Sequence, residues 1–207
     1  MTRFTTGTGP LDRELDGGFE PGALVAYVAG PAVQAETLLY QLAAQRPTTY
    51  VTTVTPERKV REAVDGIAGV GGADGLDTVA VAPDASVASF AERLDVREDS
   101  YVLVDAVDLF ERSDPADYHA FLGEFADRLD ERGAVGVLHA VEGADVSATR
   151  DWTLRAADVV VRLAVAFEGI EPETLLRVQR TRGADPPEEA LKVKLGAEVE
   201  IDTSWDM

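Results

Sequence analysis

The chain has 207 residues, 45% of them hydrophobic, enough to fill the core of one domain over 1–207, and no apolar run approaches the roughly 20 residues that a membrane span requires. Its 38 acidic residues outnumber 19 basic ones, giving a formal net charge of −19 spread along the chain, which disfavours direct nucleic-acid binding because that draws on clustered lysine and arginine. Zero cysteines exclude disulfides and thiolate metal sites, and His119 and His139, the only histidines, argue against a multi-histidine metal centre.

The first residues, Met-Thr-Arg-Phe-Thr-Thr-Gly, lack the apolar core of a signal peptide, so the expected setting is the cytoplasm. A glycine-rich phrase, Thr8-Gly-Pro-Leu-Asp-Arg-Glu-Leu-Asp-Gly-Gly-Phe-Glu-Pro-Gly22, leads to an apolar strand expected over Ala23–Ala29. A loop follows, built from Gly30, Pro31, Ala32, Val33, Gln34, Ala35, Glu36 and Thr37, and it runs into a helix expected over Gln34–Gln45. Beyond it the pattern predicts a strand at Thr48–Val54, a helix at Pro56–Ile67, a glycine-rich loop over Gly66–Gly75 and a strand at Asp77–Ala82. A helix at Ser86–Leu94 and a strand at Tyr101–Asp105 come next. Asp108, Glu111, Asp114 and Asp117 read as a solvated acidic surface. The helix expected over Pro115–Arg132 places Tyr118, Phe121, Leu122, Phe125 and Leu129 on one buried stripe, with Pro115 and Gly133 marking its ends. A strand at Ala134–His139 completes an alternation that indicates an α/β fold with a mostly parallel sheet. After Arg150 the pattern changes to consecutive strands at Asp158–Phe167, Glu173–Thr181 and Glu189–Val193, with a short fourth at Val199–Ile201. Gly169 and the Gly183–Pro187 segment supply turns, so these strands are expected to add antiparallel to the sheet edge.

Four stretches together resemble RecA/KaiC-like P-loop ATPases, including the archaeal recombinase-paralogue branch. The phrase Thr8–Gly22 resembles the G-x-x-x-L-D-x-x-L-x-G-G-x-x-x-G opening of those domains. The loop Gly30–Thr37 stands where their Walker A motif, G-x-x-x-x-G-K-[ST], belongs, and Tyr101-Val-Leu-Val-Asp105 resembles Walker B. Leu176-Arg-Val-Gln-Arg-Thr-Arg-Gly183 resembles a terminal strand ending in K-x-R-G. The resemblance covers most of the chain and implies a RecA-like fold, with Thr37 and Asp105 at the magnesium-side positions. His139 falls at a polar sensor position, the other reading being a satisfied strand-end histidine. Arg180 and Arg182 fall where relatives direct positive charge at a neighbouring subunit's phosphates, the other reading being a structural ion pair to Glu36 or Asp105.

The Walker A position departs from the pattern. A working loop uses glycines to fold backbone N–H groups round phosphates and a lysine to offset their charge. Here Ala35 replaces the second glycine and Glu36 replaces the lysine. At roughly 5 Å and an effective dielectric of about 20, each charge unit is worth about 3 kcal/mol against one phosphate charge. A two-unit reversal therefore costs on the order of a thousandfold or more in affinity. The stretch Tyr50-Val-Thr-Thr-Val-Thr-Pro56 lacks the glutamate that orients the attacking water in KaiC-like enzymes, and Glu57 reads as a first-turn helix acid. ATP and magnesium are thus disfavoured, and no residue takes a catalytic role.

Three functions are expected from this pattern. The first is a degenerate RecA/KaiC-like domain acting through other proteins in regulation, in homo-oligomers or in hetero-oligomers with RecA-like paralogues. The second is an atypical ATPase, with Arg182 or a second subunit's arginine standing in for the lysine. The third is a factor accessory to DNA recombination through a recombinase partner. Trp152 and Trp205 read as packing or interface residues. Lysine occurs only at Lys59, Lys192 and Lys194, and so acidic and lysine-poor a composition resembles that of salt-accumulating halophiles, in which ions screen self-repulsion.

Overall fold

The computed structural model describes residues 2–67, 75–168, 171–196 and 198–202. Gly169, Trp205 and the middle of the Gly66–Gly75 segment, singled out in the sequence, lie outside them.

In chain order the elements are α1 (Gly9–Glu14), β1 (Leu24–Ala29), α2 (Glu36–Ala43), β2 (Thr48–Thr52), α3 (Glu57–Asp65), β3 (Leu76–Ala80), α4 (Val87–Arg93) and β4 (Tyr101–Asp105). Then come α5 (Asp108–Glu111), α6 (Pro115–Arg132), β5 (Val135–Val141), α7 (Arg150–Ala156), β6 (Val159–Glu168), β7 (Glu171–Thr181), β8 (Leu191–Leu195) and β9 (Val199–Asp202). The strands form one sheet in the order β3-β2-β4-β5-β1-β6-β7-β8-β9. Strands β1 to β6 pair in parallel, and β7, β8 and β9 add antiparallel at the β6 side. The expected mixed sheet, with its antiparallel C-terminal extension, is therefore present.

Both faces of the parallel part are covered, which is why its strands read as continuous apolar runs. Successive side chains of β1 alternate between two cores. Val25, Tyr27 and Ala29 pack with Leu38, Leu39 and Leu42 of α2 and Val60 and Val64 of α3. Leu24, Ala26 and Val28 pack on the other side, where Phe90 of α4, Phe110 of α5 and the α6 stripe close the layer. The stripe is buried at all five expected positions. Val193 and Val199 of the antiparallel extension join the α2 side.

Three helices escaped the sequence pattern: α1 inside the glycine-rich phrase, α5 just after β4, and α7 before β6. Strand β2 ends two residues earlier than expected, leaving Val54 86% exposed. The opening phrase also has a structural use. Gly18, at φ +112°, lies so close to Phe4 that an added Cβ would sit 2.0 Å from its carbonyl oxygen, beside the Phe4–Phe19 bridge. Only glycine tolerates both the angle and the approach.

The acidic stretch is not uniformly solvated, contrary to expectation. Glu111 is 1% exposed, and its carboxylate receives Arg150 Nε at 2.6 and 2.9 Å and the Thr153 hydroxyl at 2.5 Å. Arg150 also reaches Asp108 at 2.8 Å and the Val141 carbonyl at 3.1 Å. Burial works against the guanidinium charge, but the two carboxylates outweigh it and hold Arg150 above its ordinary value. Asp114 instead caps α6, accepting from the Ala116 and Asp117 amides.

Candidate functional site

The carboxyl ends of β1, β2, β4 and β5 meet at one edge of the sheet. In open α/β sheets, ligands bind outside such ends, where neighbouring connections part. Register places Tyr27 of β1 beside His139 of β5, and His139 beside Asp105 of β4.

Asp105 is engaged at both oxygens. The Tyr50 hydroxyl donates to Oδ2 at 2.8 Å, and His139 Nδ1 lies 2.7 Å from Oδ1. A carboxylate only accepts, so Nδ1 is the donor in this contact and Nε2 is the ring's second nitrogen. That Nε2 is buried without a partner, as is the Tyr27 hydroxyl. The Thr53 hydroxyl and amide bind the Asp105 carbonyl, and the following Asp105–Ala106 peptide is cis.

The loop Gly30–Thr37 connects β1 to α2 in a compact, right-handed path. Val33 N donates to the Gly30 carbonyl, Ala35 N to Val33, Thr37 N to Gln34 and Leu38 N to Ala35, so these amides are spent within the loop and first helical turn. None of its residues has a positive φ, whereas an anion-binding nest alternates right- and left-handed residues. Ala35 is 1% exposed, and its Cβ adds to the apolar layer under the loop. Thr37 is also buried, at 6%. Glu36 opens α2, where the helix dipole favours a negative charge. It is half-buried and has no hydrogen bond or ion pair among the described residues.

Glu36 and Asp105 are felt by three tyrosines. Burial first, then Glu36 and Asp105, raises Tyr27 above the ordinary phenol range. Tyr40 is pushed up to about 12 by burial, Asp105 and Glu36. Tyr50 rises through burial, Asp105 and Tyr40. All three stay protonated at neutral pH, which keeps the Tyr50 hydroxyl a donor to Asp105. Tyr40 and Tyr50 stack with ring centroids 5.9 Å apart.

The structure thus gathers Glu36, Thr37, Asp105 and His139 at one edge. Arg180 and Arg182 are elsewhere, because the end of β7 lies against the start of β6, at the opposite edge of the sheet. Arg182 pairs with Asp158, and Arg180 donates to the Leu154 and Arg155 carbonyls. The expected ion pair from either arginine to Glu36 or Asp105 is therefore replaced by contacts that tie β7 to α7 and β6. Glu57 sits in the first turn of α3 as expected and accepts from the Ala80 amide at 3.2 Å. Trp152 is half-buried against the α6 side, edge-on to His119 at 5.6 Å. The sequence reading missed the tyrosines, although a polar-tipped aromatic inside an aliphatic strand, as at Tyr27 and Tyr50, is a visible signal.

The model of a family of unknown function, DUF7125, matches residues 3–207. No curated protein matches the chain in sequence. Among solved structures, the chain is similar to the KaiC-like protein PH0186 from the hyperthermophilic archaeon Pyrococcus horikoshii OT3. The TM-score is 0.76, the sequences are 16% identical, and the match covers 97% of this chain and 98% of the other. At that identity the likeness is one of fold: the mostly parallel sheet with its C-terminal antiparallel strands is the KaiC-like RecA fold.

Proposed function

The chain belongs to DUF7125, a family of unknown function, and from that premise and its KaiC-like fold we propose that it is a RecA-like domain that has given up nucleotide hydrolysis and acts in regulation by binding other proteins. The observation that carries this reading is Asp105. A magnesium-side aspartate keeps its carboxylate free for the metal and its waters, whereas here both oxygens are held by the protein's own Tyr50 and His139. Glu36 adds a negative charge where triphosphate would lie, and the amides of Val33, Ala35 and Thr37 are already bonded within the loop. These residues do not fit a magnesium–nucleotide complex, so no hydrolytic step is assigned to them. The partners are other proteins, RecA-like chains among them, in a salt-rich cytoplasm to which the −19 charge is suited.

Isothermal titration of the full chain with ATP in molar KCl, with and without magnesium, tests the proposal. No saturable heat up to millimolar ATP and no phosphate release are expected. Micromolar binding with steady turnover sinks it, and loss of that turnover in Asp105→Asn establishes the atypical ATPase instead.

A further inference from the structure

We propose that the bare face of the antiparallel extension is a dimer interface, and that its partner is a second copy of this chain. Strands β6 to β9 bury one face in the core shared with α2, through Val161, Leu163, Leu176, Val178, Val193 and Val199. Side chains alternate along a strand, so Arg162, Ala164, Glu173, Leu175, Arg177 and Lys194 lie on the other face. There α7 packs around Val160, at the start of β6, and its Leu154 carbonyl accepts from Arg180. Beyond it Ala164, Arg177, Lys194 and Glu200 are exposed and Leu175 is half-buried.

Two features set this face apart from an ordinary solvated sheet surface. Register sets Arg162 directly opposite Arg177, and like charges facing each other across neighbouring strands are destabilising. Arg162 is relieved by Glu142 and by the Gln179 side-chain oxygen at 3.1 Å. Arg177 has no ion pair among the described residues. In a chain with 38 acidic residues against 19 basic ones, that arginine stands uncompensated within a single copy. The face also runs against the charge of the molecule, because two of its three lysines, Lys192 and Lys194, join the two arginines there. Two copies at −19 each repel, so they meet best where the local charge is reversed.

The layout of the face is self-complementary. Ala164 pairs with Leu175 at its middle; Arg162 and Arg177 lie two residues to one side, Ala166 and Glu173 two residues to the other. An isologous two-fold contact needs such a patch, in which each group finds its complement at the mirrored offset. An axis running across the strands through the Ala164–Leu175 pair lays β7 in reverse over β7 of the second copy. Leu175 then meets the partner's Leu175, and Arg177 meets the partner's Glu173. Facing sheets pack about 10 Å apart, a gap that an arginine and a glutamate span together and that Ala164 and Ala166 keep clear. Glu173 gives Oε1 to Lys192 of its own chain and keeps its other oxygen for the incoming guanidinium. Nucleic acid is the poorer match, because Glu173 and Glu200 interrupt the cations that phosphates would follow.

The test is sedimentation velocity of the full chain in molar KCl over a concentration series reaching the millimolar range. A reversible monomer–dimer equilibrium is expected. Arg177→Glu and Glu173→Arg should each weaken it about tenfold or more, since each sets like charges against one another at both symmetry-related contacts. An equimolar mixture of the two variants should regain the dimer, because the mixed pair has one original and one swapped ion pair. A misfolded variant cannot be rescued in this way. A chain that stays monomeric throughout, a variant that dimerises as tightly as the original, or a mixture no tighter than its components each overturn the proposal. The dimer and the loss of nucleotide binding stand or fall separately, because neither substitution touches Asp105 or the loop Gly30–Thr37.

Discussion

At the scale of single residues, the charges that matter most to this molecule are hidden. The Glu111–Arg150 pair is buried on both sides, with side-chain exposures of 0% and 7%, and joins the short helix after β4 to the helix before β6. Removing one partner strands the other charge out of water. Arg150→Met should therefore cost about 3–5 kcal/mol of stability in equilibrium urea unfolding, and the double change with Glu111→Leu should recover much of it. A loss under about 1 kcal/mol in the single variant would show that water reaches the carboxylate. This pair was illegible in the sequence. Asp108, Glu111, Asp114 and Asp117 recur every three residues and look alike, but the guanidinium that buries one of them lies 39 residues away. The Tyr50–Asp105–His139 contacts were hidden for the same reason: Asp105 and His139 were visible, Tyr50 was passed over, and their junction depends on strand order. Glu36 was legible, because a charge in place of a lysine needs no partner to be noticed.

Among the elements, length and end signals together decided what could be read: α4 is as short as α7, yet Ser86 caps its start. The α6 helix was legible at both ends: Pro115 sits in its first turn, Asp114 caps it, and Gly133 closes it at φ +56°. Asp114 Oδ1 accepts from Ala116 N at 2.8 Å and Asp117 N at 3.4 Å. Asp114→Ala should thus lower stability by about 1 kcal/mol, read as a shifted urea midpoint with an unchanged slope. An unchanged midpoint would mean that Pro115 alone sets the start. Helices α1, α5 and α7 have six, four and seven residues, too few turns for an apolar stripe to repeat. They are fixed by tertiary contacts instead. Asp12 ties α1 back to Thr5 and Thr6, and Phe110 places α5 in the core. Strand β2 overran its true end in the sequence because Val54 has strand propensity but no neighbour to pair with.

On the scale of the whole molecule, an excess of 38 acidic over 19 basic residues sets the response to salt. Self-repulsion is screened when the Debye length falls to about 3 Å at 1 M salt. Moving the protein from 2 M to 0.1 M KCl should lower its Tm by on the order of 10 °C in a thermal scan. A Tm indifferent to KCl would separate the acidic composition from adaptation to salt. The sheet order carries a different consequence, for how the chain is made. Strand β1, apolar over Leu24–Ala29, precedes the other strands of this sheet in the chain, yet its two neighbours are β5 and β6. It has no permanent partner until Val135–Val141 has emerged, and its second edge stays bare until Val159–Glu168 follows. Such long-range closure is slow and leaves an apolar segment waiting, so β1 is the stretch with most to gain from shielding before the sheet closes around it.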